Sequence, residues 1–230
     1  MRIGGIQKLT LLDYPGKVAC TIFLSGCNLR CPYCHNPGLV LPERRDGQEL
    51  SVAEVLRYLE QRHGKLDGVC ISGGEPTLQP ALPEFIADIR GLGYTVKLDT
   101  NGTNPGMLRE LLQDDLLDYV AMDIKNSPEH YSETCGGVDV LSKVQESVSL
   151  LLNSAADYEF RTTVCKPLHT QKEMKEIGRW IKGANRYFIQ AFVDSGNLVS
   201  GGVQAHTHEE LAQLLQIVLP YIPNTQLRGI

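Results

Sequence analysis

Val96-Lys97-Leu98-Asp99 is the stretch on which the fold turns. Successive side chains of a strand point to opposite faces, so Lys97 and Asp99 share one face while Val96 and Leu98 share the other. The same division recurs downstream. Asp123 and Lys125 oppose Met122 and Ile124, and Glu159, Arg161 and Thr163 oppose Phe160, Thr162 and Val164. A strand covered by helices on both faces reads instead as a near-continuous apolar run. One half-polar strand could be a sheet edge with a solvated face. Three in succession favour a barrel wall, with helices outside and a wet or ligand-filled interior near the C-terminal strand ends.

Working outward, short runs rich in Val, Ile, Phe and Tyr fall at residues 18–24, 69–72, 94–99, 119–123, 158–164 and 187–192. Helical character fills the intervals at 51–62, 82–92, 105–112, 140–152, 171–181 and 208–219. The first of these helices carries Val52, Val55, Leu56 and Leu59 on a 3.6-residue stripe. Ser51 and Glu54 give it a capping-box start. Six strand–helix units imply a parallel sheet with right-handed crossovers. The predicted fold class is α/β, a partial (β/α)6 TIM-like barrel, and the absence of a Pro/Ser-rich linker or short repeat predicts one domain over residues 1–230.

Composition narrows the function classes. The 230 residues include 22 Lys+Arg against 27 Asp+Glu, a formal net charge of −5, with 42% hydrophobic and 21% charged residues. Such a chain can bury a core, and its acidic balance gives no footprint for nucleic acid or an anionic membrane. No basic stretch leads into an apolar one at Met1-Arg2-Ile3-Gly4-Gly5, and no run reaches the roughly 18 apolar residues of a membrane helix. The expectation is a cytoplasmic protein, in whose reducing surroundings clustered cysteines point to metal or redox chemistry.

Seven cysteines are present, three of them within Gly26-Cys27-Asn28-Leu29-Arg30-Cys31-Pro32-Tyr33-Cys34-His35. This loop follows the first predicted strand. A Cys-x3-Cys-x2-Cys loop can wrap three thiolates around one inorganic core, and since 4Fe-4S clusters ordinarily take four cysteines, three leave one iron open. Zinc is the alternative, although its tetrahedral sites want four ligands and His35 is badly placed beside Cys34. Cys70 could be argued as a fourth ligand, but it sits inside a predicted strand. The next strand ends in Ser72-Gly73-Gly74-Glu75-Pro76-Thr77, where paired glycines allow close backbone approach to a ligand and Glu75 offers a carboxylate to a cation such as an amine.

Together the two motifs resemble the radical S-adenosylmethionine (SAM) superfamily. The resemblance implies a [4Fe-4S] cluster on Cys27, Cys31 and Cys34, SAM chelating the open iron, and its methionine end held at Gly73, Gly74 and Glu75, in a barrel of the radical SAM type. Tyr33 and His35 flank the last cysteine, where the family has an aromatic residue near the adenine. Leu12-Asp13-Tyr14-Pro15-Gly16-Lys17, Cys34-His35-Asn36-Pro37, Leu98-Asp99-Thr100-Asn101-Gly102 and Met122-Asp123-Ile124-Lys125 further resemble the glycyl-radical enzyme activating enzymes. The likeness is nearest to the anaerobic ribonucleoside-triphosphate reductase type and the pyruvate formate-lyase type. It implies a monovalent cation at Asp99 and Asp123, with Thr100 beside Asp99. Two carboxylates at neighbouring strand ends repel unless a cation or Lys125 sits between them. Arg161 and Gln190 are weaker candidates for the cofactor's carboxylate and ribose, Gln190 standing where the pyruvate formate-lyase activator has a histidine. The implied partners are a glycyl-radical enzyme as protein substrate and reduced flavodoxin or ferredoxin as electron donor. A small-molecule enzyme like 7-carboxy-7-deazaguanine synthase is the alternative, as is a noncatalytic electron carrier or zinc-stabilised module. Only Cys70 lies between Cys34 and Gly73, which disfavours a second cluster there. The glycine-containing loop at 194–202 is read as a mobile rim segment or a plain connection.

Overall fold

The computed structural model describes residues 1–44, 47 and 49–230. Its strands are β1 Ile3–Thr10, β2 Ala19–Leu24, β3 Gly68–Gly73, β4 Thr95–Thr100, β5 Tyr119–Asp123, β6 Asp157–Val164, β7 Tyr187–Ala191 and β8 Thr225–Arg228. Its helices are α1 Pro37–Val40, α2 Val52–Gln61, α3 Leu82–Gly91, α4 Pro105–Gln113, α5 Tyr131–Thr134, α6 Leu141–Leu152, α7 Gln171–Trp180 and α8 His208–Val218. Strand order in the sheet is strand order in the chain. Six strand–helix units, from β2 to α8, alternate as the sequence pattern predicts.

The chain divides into two compact units with interleaved segments. The first comprises Met1–Asn28, Gly38–Thr100 and Asn104–Val120. In it β2, β3 and β4 run parallel, and β1 pairs antiparallel with β2. Their apolar side chains meet the helices: Val69, Ile71, Val96 and Leu98 are fully buried, as are Leu59 of α2, Ile86 and Ile89 of α3 and Leu111 of α4. Each such side chain contributes roughly 1.5–3 kcal/mol by leaving water. Ser51 caps α2 and Glu54 returns the bond, completing the predicted box.

The second unit comprises Leu29–Pro37, Asn101–Thr103 and Ala121–Ile230. Here β6, β7 and β8 run parallel, Arg161 standing opposite Phe188 and Gln190 opposite both Thr163 and Arg228. Capping boxes recur at α7 (Thr170, Glu173) and α8 (Thr207, Glu210).

Two strands escape the sequence pattern. β1 carries Gly4 and Gly5 and mixes polar with apolar residues, and β8 is only four residues long, so neither shows a strand period. On the polar face of the strands, Lys97 is 2% and Glu159 0% exposed, both held by ion pairs. Among the described residues, no helix is long and apolar enough to cross a membrane.

Candidate active site

In the first unit the Gly-Gly-Glu turn is built against the strand that leads into Cys27. Gly74 N–H donates to Leu24 O at 2.8 Å and Glu75 N–H to Gly26 O at 2.7 Å. Gly73 lies at φ +119°, and a Cβ there would stand 2.3 Å from Leu24 O. A Cβ on Gly74 would stand 2.1 Å from Gly26 O. The glycines thus let two backbones touch, which fixes the start of the cysteine loop. Gln79 adds a brace, its amide donating to Ser25 O at 3.0 Å.

Glu75 is buried, and its Oε1 accepts from Thr77 N at 3.1 Å, Thr77 Oγ1 at 2.6 Å and Thr100 Oγ1 at 2.7 Å. This oxygen caps the turn that follows and ties it to the end of β4. Thr100→Val is expected to lower stability by about 1.5–3 kcal/mol, the range for a hydrogen bond to a charged group, read as a shifted urea midpoint. Next to Thr100, the Asp99 carboxylate takes a hydrogen bond from Ser72 Oγ at 2.9 Å and pairs with Lys97 Nζ. Lys97 Nζ also lies 3.7 Å from the buried Cys70 sulfur.

The second unit carries Cys31 and Cys34. The Cys31–Cys34 segment closes as a turn, Cys34 N to Cys31 O at 3.1 Å, and Arg30 N donates to Cys135 O at 3.1 Å. Residues 199 and 200 lie along this loop, Val199 N donating to Cys34 O at 2.9 Å and Ser200 N to Pro32 O at 3.2 Å. The 194–202 segment is therefore pinned at two points, not a plain connection. Cys31 is buried, yet a hydrogen bond with the Cys135 thiol brings its thiol down to about 7 against the opposing effect of burial, with Lys125 assisting. Burial pushes the Cys34 thiol up. Tyr33 packs edge-on against His169, ring centroids 6.0 Å apart, and its buried hydroxyl has no hydrogen-bond partner among the described residues. His35 is exposed.

At the end of β5, Asp123 accepts from Lys125 Nζ at 2.8 Å and is ion-paired with Arg161. Burial opposes ionisation of Asp123, but Arg161 and Lys125 outweigh it and hold the carboxyl well below the usual carboxylate range. Lys125 is held well above the usual range: burial works to lower it, and Asp123, with Tyr33 and Cys31, overcomes that effect. Asp123 therefore adds stability that is complete above its unfolded value of about 3.9 and is lost as pH falls through its depressed native value. Asp123→Asn is expected to cost roughly 3 kcal/mol near pH 7 by stranding two cations. The difference from the parent protein should shrink below about pH 4 in urea titrations run across pH.

Gln190 shares a face with Arg161. Arg228 is a residue that sequence reasoning missed. It stands opposite Gln190, grips Glu159 through 2.7 and 2.9 Å hydrogen bonds, and lies 3.4 Å above the Phe188 ring. Its signal was hidden in the short, unpatterned β8.

The model of the radical SAM superfamily matches residues 21–181. A Methanocaldococcus jannaschii protein bearing the provisional name glycyl-radical enzyme activating enzyme is 34% identical over 99% of this chain and 96% of its own length. The chain belongs to the glycyl-radical enzyme activating family of the radical SAM superfamily. Within this radical SAM family, the pyruvate formate-lyase-activating enzyme of Clostridium pasteurianum is 38% identical over 54% of the chain and 52% of its own length. A 7-carboxy-7-deazaguanine synthase of Methanopyrus kandleri is 37% identical over 51% of the chain, also spanning 52% of its own length. Among solved structures, Streptococcus suis SuiB bound to S-adenosylmethionine shares the fold, with TM-score 0.70 and 16% identity over 91% of this chain and 52% of that one. The radical SAM family implies a 4Fe-4S cluster and SAM. The glycine turn orders the backbone just before Cys27, and Tyr33 keeps a buried hydroxyl with no partner among the described residues, but no three His, Cys, Asp or Glu side chains among them stand together as a metal site.

Proposed function

We propose that this chain is the cytoplasmic activase of a glycyl-radical enzyme, specifically of anaerobic ribonucleoside-triphosphate reductase, with reduced flavodoxin or ferredoxin as electron donor. The observation that carries the reading is the chain-long likeness to a glycyl-radical enzyme activating enzyme, which extends through both units. In it Cys27, Cys31 and Cys34 hold the cluster, and the Gly73-Gly74-Glu75 turn receives the methionine end of SAM. When bound, the reduced cluster supplies one electron for cleavage of SAM to methionine and a 5′-deoxyadenosyl radical, which takes the α-hydrogen of a partner's glycine.

The chain's own residues bind, orient and exclude water. The braces from Leu24, Gly26 and Gln79 fix the approach to Cys27. The hydrogen bonds from Val199 and Ser200 fix the carbonyls around Cys34. Asp123, Lys125 and Arg161 carry together one net positive charge, suited to the carboxylate of SAM.

Anaerobic reconstitution tests the reading. With dithionite and SAM the loaded protein should form 5′-deoxyadenosine, and with anaerobic ribonucleotide reductase it should raise a glycyl-radical EPR doublet. Uptake of zinc in place of iron, or no 5′-deoxyadenosine, would overturn the radical chemistry. If 5′-deoxyadenosine forms but the doublet arises only with a pyruvate formate-lyase-type partner, the choice of partner is wrong. The half-length match to a 7-carboxy-7-deazaguanine synthase favours a small-molecule substrate as the second reading. Turnover of a deazaguanine precursor without any doublet would establish it.

A further inference from the structure

We propose that Lys97 is the built-in counter-cation of Asp99 and that this chain binds SAM without a monovalent metal ion. The proposal rests on the SAM-binding reading above and departs from the cation that the family resemblance implies at Asp99 and Asp123. Neither carboxylate is left for a metal to neutralise. Lys97 and Asp99 lie two residues apart on one face of β4, so their side chains project side by side. Lys97 Nζ is ion-paired with Asp99 and is 2% exposed. An ammonium that dry requires a counter-charge, and Asp99 supplies it. The second Asp99 oxygen accepts from Ser72 Oγ at 2.9 Å. A sodium or potassium ion brought to Asp99 would meet the Lys97 ammonium at short range and be repelled by it.

Asp123, taken by itself, leads to the same result. Lys125 and Arg161 both pair with it, so a metal ion brought to Asp123 would meet two fixed cations. The strand parity that put Lys97 on the polar face thus places a covalent cation beside the carboxylate.

The test is ion replacement at constant ionic strength, on the reconstituted holoenzyme, with melting temperature and SAM affinity by equilibrium dialysis as readouts. Wild-type protein should melt at the same temperature in potassium, sodium and choline chloride, and its Kd for SAM should vary by less than about twofold. A saturable rise in melting temperature with potassium or sodium, or SAM binding tightened by about tenfold or more relative to choline, would overturn the proposal. Lys97→Met leaves Asp99 without its ammonium and should create the missing dependence: weaker SAM binding in choline, restored by potassium. The double variant Lys97→Met/Asp99→Asn carries neither charge and should show no ion effect, and it serves where the single variant does not fold. Ion-indifferent SAM binding by a folded Lys97→Met would also count against the proposal. Absence of SAM binding in every salt would instead overturn the proposed function, a result separate from any ion effect on melting.

Discussion

Cys31→Ala is expected to leave a folded chain that no longer holds iron. Cys31 is buried in the turn closed by Cys34 N and Cys31 O, and a hydrogen bond with Cys135 brings its thiol down to about 7. Losing one sulfur from a side chain this size costs on the order of 1 kcal/mol, too little to unfold a domain of ordinary stability. Losing one of three ligands leaves a four-iron core with only two, so iron should fall from about four per chain to well under one. SAM cleavage should vanish with it. Cys20→Ala is the matched control. Cys20 is also buried, but it lies inside β2 and outside the Cys27–Cys34 loop. Iron analysis, visible absorbance and circular dichroism on both variants decide the matter. Full iron in Cys31→Ala, with loss in Cys20→Ala, would refute the ligand assignment.

The second large effect is expected at Gly73. Alanine there meets two separate obstacles: a φ of +119° that an L side chain rarely adopts, and a Cβ 2.3 Å from Leu24 O and 2.5 Å from Leu24 N. The conformational part costs on the order of 1–3 kcal/mol and the steric part a similar amount, since both neighbours are backbone and cannot swing aside. A loss of about 3–5 kcal/mol takes a large share of a typical stability of 5–15 kcal/mol. Poor soluble yield and a sharply lowered urea midpoint are the expected signs. Gly5→Ala is the contrast: nothing lies within 4 Å of a Cβ at that position, and its stability should be unchanged or slightly raised. Equal behaviour of the two variants would show that the close approach at Gly73 is not what the residue is for.

Much of this architecture is legible in the amino-acid sequence. The six central strands and six long helices lie where period and capping place them, because each buries one apolar stripe or face. β1 and β8 were not legible, since their pairing rests on neighbours far along the chain and not on their own pattern. The site divides in the same way. The spacing of the cysteines and the Gly-Gly-Glu turn could be read locally. The occupation of Glu75 Oε1 by Thr77 and Thr100, the cations already on Asp99 and Asp123, and the place of Arg228 are tertiary facts. Parity did show Lys97 on the polar face with Asp99, but not that the lysine would be dry, and it is dryness that turns a neighbour into a counter-ion.

The hydrogen bonds from Val199 and Ser200 to the carbonyls of Cys34 and Pro32 bear on how the molecule is made. A ribosome adding about 5–20 residues each second needs roughly 10–30 s to travel from the cysteine loop to the segment that secures it. During that interval two carbonyls of the loop lack their native donors, and the loop takes its final hold only once residue 200 has left the ribosome.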